Sequence, residues 1–259
     1  GLWHDAVVAN TRAWHSDQKA AIGEGFAIYP THNLTMLYYA ASMGGEGAAA
    51  VQAAKDLAKL NSNTSMHSMA LIRFGRFDEV LDITEPPTGE INISMYDFSH
   101  GYAALKSGDT DKARDAMQSL KELTETTTAR FRFHAGKDIV GALAGILEGE
   151  IAWSEGDMGA ATEAFRLATD YYDNLNYDEP EPLPFSPRHW LGAAYIELQA
   201  YDIALEVYRQ DLNEHPHNVW SLFGIQRALK MTEESDPVID KDLFEALRYA
   251  DIWIPNTKY

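Results

Sequence analysis

The sequence predicts an all-α fold, a superhelical solenoid of antiparallel helical hairpins, and three observations lead to that prediction. A spacing of small and apolar residues recurs along most of the chain. Alanine-rich stretches such as Ala48 to Ala54 favour helix. Apolar residues make up 46% of the 259 residues, yet no apolar run approaches the ~18 residues of a membrane span, so we expect no membrane insertion.

The recurring unit begins with a glycine, followed by an aromatic or small residue two positions later and an alanine at plus five. Apolar residues follow at plus nine and plus twelve, and the clearest copy is Gly156, Met158, Ala161, Phe165 and Ala168. Small residues are needed where two helices cross at close range. The other copies start at Gly1, Gly45, Gly75, Gly108 and, with the glycine replaced, Gln199. The predicted helix crossings are Ala6, Ala50, Ala113, Ala161 and Ala204.

The helix before each anchor shows a matching pattern. Gly149 and Ala152 lie seven and four residues before Gly156, and Gly101 and Ala104 stand likewise before Gly108. We therefore expect about twelve or more helices in consecutive pairs and no sheet of consequence. The anchors are 44, 30, 33, 48 and 43 residues apart, so some units carry insertions or long helices.

The stretch 174–187 contains four prolines and no helical spacing. Because it also contains Tyr177 and Phe185, we expect an ordered loop there rather than a flexible linker. Each hairpin buries its apolar face only against its neighbours, so residues 1–259 should form one elongated solenoid domain. Gly1 to Trp3 stand at the turn of a hairpin whose first helix is missing, and we expect the chain to be the C-terminal part of a longer protein.

Charge and composition exclude several function classes. The net charge is −18, and scattered acids without a basic patch argue against nucleic acid or an anionic membrane as a partner. The chain has no cysteine, which excludes disulfides, a thiolate nucleophile and a cysteine zinc site. The compartment stays open between cytoplasm and periplasm.

Several runs carry a resemblance to a known family. They are Gly149 to Ala152, Tyr177 to Pro180, Pro187 to His189 with Leu191 to Ala193, Asp211 to Leu212, and Asn218 to Gly224. In these runs the chain resembles tetratricopeptide repeat (TPR) proteins, in particular a bacterial subgroup with similar phrases. Val219 departs from the glycine that is usual in the subgroup. The resemblance implies a TPR superhelix and no particular activity, because the subgroup consists mostly of repeat proteins of unknown role.

In such a superhelix the first helix of each unit lines a concave groove, and polar or aromatic residues there contact ligands. Aromatic, methionine and polar side chains together suit a peptide or an organic ligand. The residues projected onto that face are His32, Tyr39, Met66, Met69, Phe98, Tyr102, Glu150, Trp153 and His189.

The most concentrated polar group lies between 177 and 189. Asp178, Glu179 and Glu181 fall in the loop, and Arg188 and His189 open the next helix. A cation at a helix start opposes the helix dipole and needs a nearby anion. Two interpretations stay open: Arg188 and His189 bind an anionic ligand or a peptide terminus, or Arg188 forms a salt link with Asp178 or Glu179 that holds the loop.

Metal chemistry and catalysis are the competing ideas. His215 and His217 flank a proline, and Asp97 lies three residues before His100, but such spacings are common in loops and helices. Classical nucleophile, phosphate-loop and metalloprotease motifs are missing. We therefore predict no catalytic residue, metal or cofactor, and a module that binds a protein or peptide partner in its groove. The alternative is part of a ligand- or metal-dependent enzyme whose remaining site residues lie outside this chain.

Overall fold

The computed structural model describes residues 1–24, 29–254 and 256–258. These described residues form thirteen helices and one ribbon of two short strands, which confirms the all-α prediction. The helices are α1 (Trp3–Ala21), α2 (Pro30–Gly44), α3 (Gly47–Asn61), α4 (Ser65–Arg73), α5 (Phe77–Leu81), α6 (Glu90–Lys106), α7 (Thr110–Thr126), α8 (Gly136–Ser154), α9 (Met158–Asp173), α10 (Arg188–Glu197), α11 (Tyr201–Glu214), α12 (Val219–Met231) and α13 (Pro237–Leu247). Strands β1 (Arg130–Phe131) and β2 (His134–Ala135) pair antiparallel between α7 and α8.

The recurring spacing sets where helices begin. The helices α1, α3, α5, α7, α9 and α11 each start two residues after an anchor, as the spacing predicts. At Gly156 the backbone has φ +83°, a left-handed conformation that glycine adopts without strain. Gln199 takes the same role with φ +59° although it has a side chain.

The helix crossings also agree with the predicted register. Four of the five predicted crossing alanines have no exposed surface, and Ala6 is half-buried. A Cβ added to Gly149 would lie 2.3 Å from the ring of Phe165, and one added to Gly192 would lie 2.3 Å from the ring of Tyr208. Larger residues at these positions would force the paired helices apart.

The even-numbered helices form an inner series. Consecutive helices pack along the whole chain, and α2 also contacts α4, α4 contacts α6, α6 contacts α8, and α10 contacts α12. The series then closes, because α12 packs against α2 and Trp220 Nε1 donates to the backbone oxygen of Ser42 at 2.9 Å. The two ends of the array therefore meet, whereas the repeat pattern led us to expect an elongated domain.

The closure is reinforced by contacts on the outer side, which we call the seam. Trp3 Nε1 donates to the oxygen of Pro216 at 2.9 Å, and the ring of His4 stacks on Tyr249 with centroids 3.5 Å apart. Asp251 accepts from the amides of Gly47 and Ala48 at 2.6 and 3.0 Å. A carboxylate at these free amides satisfies the first turn of α3 and suits its dipole.

The loop 174–187 is ordered by its second half. Leu183 and Phe185 are fully buried and belong to the main apolar core. Tyr177 is 83% exposed, so it does not anchor the loop as expected.

Candidate functional site

The predicted groove residues divide into an inner group and an outlying group. Tyr39, Tyr102, Glu150 and His189 are buried on inner helices, and Trp153 is half-buried at the end of α8. His32 is exposed near the start of α2, where its ring meets Tyr29 edge-on. The structure thus gathers most of the groove candidates and leaves His32 apart from them.

The centre of the inner face is filled by side chains. Trp190 Nε1 of α10 lies 3.2 Å from the hydroxyl of Tyr102 on α6. A guanidinium nitrogen of Arg73 on α4 lies 3.1 Å from His189 Nδ1, and the guanidinium carbon lies 3.5 Å from the ring centre of Trp220. Side chains of the inner helices therefore meet across the centre of this face.

A buried polar cluster, here the Asp211 network, joins α10, α11 and α12. Asp211 contacts His189 Nε2 and His215 Nδ1, both at 3.1 Å. It also accepts from the amide nitrogen of Asn218 at 3.0 Å and from the hydroxyl of Ser221 at 2.6 Å. Both oxygens of this carboxylate have hydrogen-bond partners, as a fully buried anion requires.

The network extends to the loop through His215. His215 Nε2 lies 3.1 Å from a carboxylate oxygen of Glu181, and Glu181 also accepts from the hydroxyl of Tyr172 and lies near Tyr39. Burial and the nearby Glu181 raise the pKa of both tyrosines well above their ordinary range. Tyr39 and Tyr172 are therefore uncharged at neutral pH.

The two histidines of the network differ in charge. Burial lowers the pKa of His189 to about 4, despite the opposing pull of Asp211. Burial would also lower the pKa of His215, but its hydrogen bonds to Asp211 and Glu181 outweigh that cost and raise the pKa to about 10. Asp211 is buried as well, yet the two histidines hold its pKa well below the ordinary range. At neutral pH, His189 is uncharged and His215 is a cation between two carboxylates.

Arg188 forms a different ion pair from the one predicted. Its two terminal nitrogens bind the carboxylate of Asp173 at 2.7 and 2.6 Å, and the residue is only 3% exposed. The predicted salt link to Asp178 or Glu179 is therefore wrong. Asp173 is the last residue of α9 and Arg188 the first of α10, so their pair joins the two ends of the loop.

The predicted site at Arg188 and His189 is not exposed to solvent either. Arg188 is committed to Asp173, and His189 is fully buried between Asp211 and Arg73. A ligand anion would have to displace a bidentate carboxylate to reach Arg188.

Asp178 holds the loop through the β-ribbon instead. Its carboxylate accepts from Arg132 and lies 2.9 Å from His134 Nε2. Glu179 is exposed, and its carboxylate accepts from the hydroxyl of Tyr177 two residues earlier. The ribbon residues Arg132 and His134 carried no signal in the sequence, because a four-residue ribbon has no recognisable period.

A second polar group, here the docking site, lies around Glu150. One oxygen of this 2% exposed carboxylate accepts from Lys106 Nζ at 2.5 Å, and the other accepts from Lys258 Nζ at 2.6 Å. Lys258 Nζ also lies 3.7 Å from the ring centre of Trp153, within the range of a cation–π interaction. Glu150 and Trp153 were predicted to contact a ligand, and here they contact a part of the chain itself.

The segment that supplies Lys258 follows α13 and has no helical structure. We call its described residues Ile254, Asn256, Thr257 and Lys258 the docked segment. The hydroxyl of Thr257 donates to the backbone oxygen of His189 at 2.7 Å and lies 2.8 Å from the Tyr208 hydroxyl. Ile254 packs with Val219, Trp220, Leu222 and Leu243. The docking site comprises Lys106, Glu150, Trp153, Tyr208 and the carbonyl of His189.

Other polar and concave features lie outside these two clusters. A cavity of about 340 Å³ lies at the seam, between α1 and α13. Among the described residues, no three His, Asp or Glu side chains are grouped to hold a metal ion. His100 instead contacts the backbone oxygens of Tyr96 and Ile83, both at 2.9 Å. None of the described helices is long and apolar enough to cross a membrane.

The chain matches no protein-family model. No curated protein is significantly similar to it in sequence.

Proposed function

We propose that this protein is a TPR-type scaffold that binds an extended segment of a partner protein at the rim of its inner face. The observation that carries the proposal is the docked segment. Residues without helical structure are held there by the side chains of Glu150 and Trp153 and by the backbone oxygen of His189, three inner-face positions that the repeat pattern had marked as ligand-facing.

The contacts resemble those of a bound peptide. Such complexes combine main-chain or hydroxyl hydrogen bonds with a few side-chain pockets. Here Ile254 enters an apolar cluster, Thr257 bonds to a backbone oxygen, and Lys258 reaches a buried carboxylate. Apolar, hydroxyl and cationic contacts on one short segment are enough to specify a sequence.

The enzyme alternative would draw on the Asp211 network. Its members His189, Asp211 and His215 are at most 2% exposed, and they bond to one another. The groups of a site that acts on a substrate need access to it, so this network supports a structural role and the binding proposal is favoured.

The test uses a variant in which the chain stops after Asn256, so that Thr257 and Lys258 leave the docking site open. A library of fluorescent decapeptides of varied sequence is titrated against it by polarisation. We expect a subset to bind saturably with Kd on the order of 10 µM, about −7 kcal/mol. Hydrogen exchange then locates the bound peptide, and protection should appear in α8 and α10.

Two outcomes would contradict the proposal. One is a library in which no peptide binds the shortened chain, although circular dichroism shows native helical content. The other is peptide binding that protects only α7, which supplies no residue to the docking site.

A further inference from the structure

We propose that the docking site recognises a lysine that follows a hydroxyl residue in a partner's extended segment, and that the docked segment is its internal competitor. This inference rests on the proposed function and names the chemistry of its ligand. We expect the partner segment to carry an apolar residue, a threonine or serine three positions later and a lysine directly after it. This is the spacing of Ile254, Thr257 and Lys258.

The docking site is suited to an ammonium group. Glu150 is 2% exposed and offers one oxygen to Lys258 at 2.6 Å. Trp153 covers the same ammonium at 3.7 Å from its ring centre. A desolvated carboxylate with an aromatic face beside it attracts a primary ammonium strongly, because both interactions gain from the low local dielectric.

The ammonium of Lys258 can leave without depriving Glu150 of its last cation. Removing one partner of a buried ion pair is ordinarily very unfavourable, because the other charge remains without compensation. Here Lys106 stays on the second oxygen of Glu150 at 2.5 Å, and its ammonium also lies 5.1 Å from the ring centre of Tyr102. Lys106 therefore preserves the site while Lys258 is exchanged for the lysine of a partner.

The docking site also contacts the hydroxyl of Thr257. Tyr208 is fully buried, and its hydroxyl is 2.8 Å from that of Thr257. Loss of Thr257 would leave a buried hydroxyl without this partner, which favours a replacement that also carries a hydroxyl. The site thus selects for two neighbouring residues and not for a lysine alone.

The docked segment is held through its side chains and not by the backbone hydrogen bonds of a helix. It lacks helical hydrogen bonds, and Trp253 just before it is 86% exposed. Burial lowers the pKa of Lys258, with Lys106 adding to the effect against the attraction of Glu150. The ammonium of Lys258 therefore loses hydration when it is bound. A partner segment with the same anchors can compete for Glu150, Trp153 and the Tyr208 hydroxyl.

The experiment uses the variant that stops after Asn256, the full chain, and a second variant, Lys258→Ala, in case shortening disturbs folding. The probe is a fluorescein-labelled synthetic peptide with the sequence of residues 251–259, followed by polarisation. We expect it to bind the shortened chain and Lys258→Ala at least tenfold more tightly than the full chain. A peptide with glutamine in place of its lysine should bind at least tenfold more weakly.

Matched substitutions on α8 locate the effect. Glu150→Gln in the shortened chain should lower affinity at least tenfold, whereas Glu148→Gln should leave it unchanged. Glu148 lies on the same helix but pairs with Lys121 at the surface, at 2.8 Å. Trp153→Leu gives a second test that adds no charge, with an expected loss of about threefold to tenfold.

The possible failures are distinguishable. Library peptides that bind the inner face with equal affinity whether or not they contain lysine would overturn the lysine site and leave the proposed function standing. Absence of binding by every peptide would overturn both. A full chain that is dimeric, and becomes monomeric when shortened, would also overturn the inference, because the site would then serve a second copy of this chain.

Discussion

At the scale of single residues, one buried carboxylate separates two histidines into different charge states. Asp211 contacts both rings at 3.1 Å. His215 has a second carboxylate, Glu181, on its other nitrogen, whereas His189 has the cation of Arg73 there. Burial lowers the pKa of both rings, and the cation of Arg73 adds to that effect at His189, whereas the second anion outweighs it at His215. Their pKa values therefore lie on opposite sides of 6.5.

These opposite shifts predict a stability maximum near pH 6.5. The folded-state pKa of His215, about 10, exceeds its ordinary 6.5, so its contribution is complete below pH 6.5 and is lost as pH rises towards 10. The folded-state pKa of His189 is lowered to about 4, so its contribution is present above pH 6.5 and is lost as pH falls towards 4. The plot of the free energy of unfolding against pH therefore has an acid limb below pH 6.5 and an alkaline limb above it. Each limb should slope by at most ~1.4 kcal/mol per pH unit, the free energy of one linked proton.

Urea unfolding from pH 4.5 to 9.5 measures both limbs. His215→Gln should flatten the alkaline limb and leave the acid limb, and His189→Gln should do the reverse. His217→Gln is the control, because His217 is exposed and 3.7 Å from its nearest carboxylate, Asp242. An alkaline limb that survives in His215→Gln would show that the network does not hold its proton.

Arg188 supports a second prediction at this scale. Arg188→Ala removes two short hydrogen bonds to Asp173, and the free energy of unfolding should fall by about 1.5–3 kcal/mol. Arg166→Ala should change it by less than about 0.5 kcal/mol, because Arg166 and its partner Glu163 are both exposed. Equal stability of wild type and Arg188→Ala in urea would contradict the structural role of this pair.

At the scale of elements, the turns before the outer helices follow one backbone rule. Gln199 occupies a left-handed position with φ +59°, and Gly156 occupies the equivalent position with φ +83°. Gln199→Gly should raise the free energy of unfolding by up to about 1 kcal/mol, and Gly156→Gln should lower it by about 1–2 kcal/mol. A Cβ at Gly156 would meet no atom within 4 Å, so a loss of stability in Gly156→Gln would come from the backbone conformation alone. Thermal unfolding checks both variants. If both changes raised or both lowered the stability, the left-handed backbone would not determine it at these positions.

The crossing of α8 and α9 gives a prediction about packing. Gly149→Ala places a methyl group 2.3 Å from Phe165, and overpacking should cost about 1–3 kcal/mol. Gly159→Ala is the control, since its Cβ would approach no atom closer than 3.5 Å. Urea unfolding that finds the two variants equally stable would mean that the helices separate at no cost.

How much the sequence could predict depends on how local the contacts are. The starts of α9 and α11 and the burial of Ala161 and Ala204 follow from spacings within one hairpin, so the sequence alone predicted them. Lys258 and Glu150 are 108 residues apart, and Trp220 and Ser42 are 178 apart. No local period encodes such pairs, because they form only when the array closes.

At the scale of the whole molecule, closure explains why the inner face is filled. An open array would leave Trp220 and the ends of α2 and α12 in water, and burying them against each other is favourable. Closure also brings the chain after α13 beside α8 and α10, where Lys258 meets Glu150. The docking site is therefore a product of the closed arrangement and belongs to no single hairpin.

The closed arrangement predicts the dimensions of the protein in solution. A compact chain of 259 residues should have a radius of gyration of roughly 18 Å, whereas an open solenoid of the same length is more extended. Small-angle X-ray scattering measures this radius directly.

Trp220→Ala removes the bond to Ser42 and the contact with Arg73, so we expect the free energy of unfolding to fall by about 3–5 kcal/mol and the radius of gyration to increase. Phe244→Ala is the control, because Phe244 is 70% exposed. A wild-type radius well above the compact value, unchanged in Trp220→Ala, would show that the two ends of the array do not meet in solution.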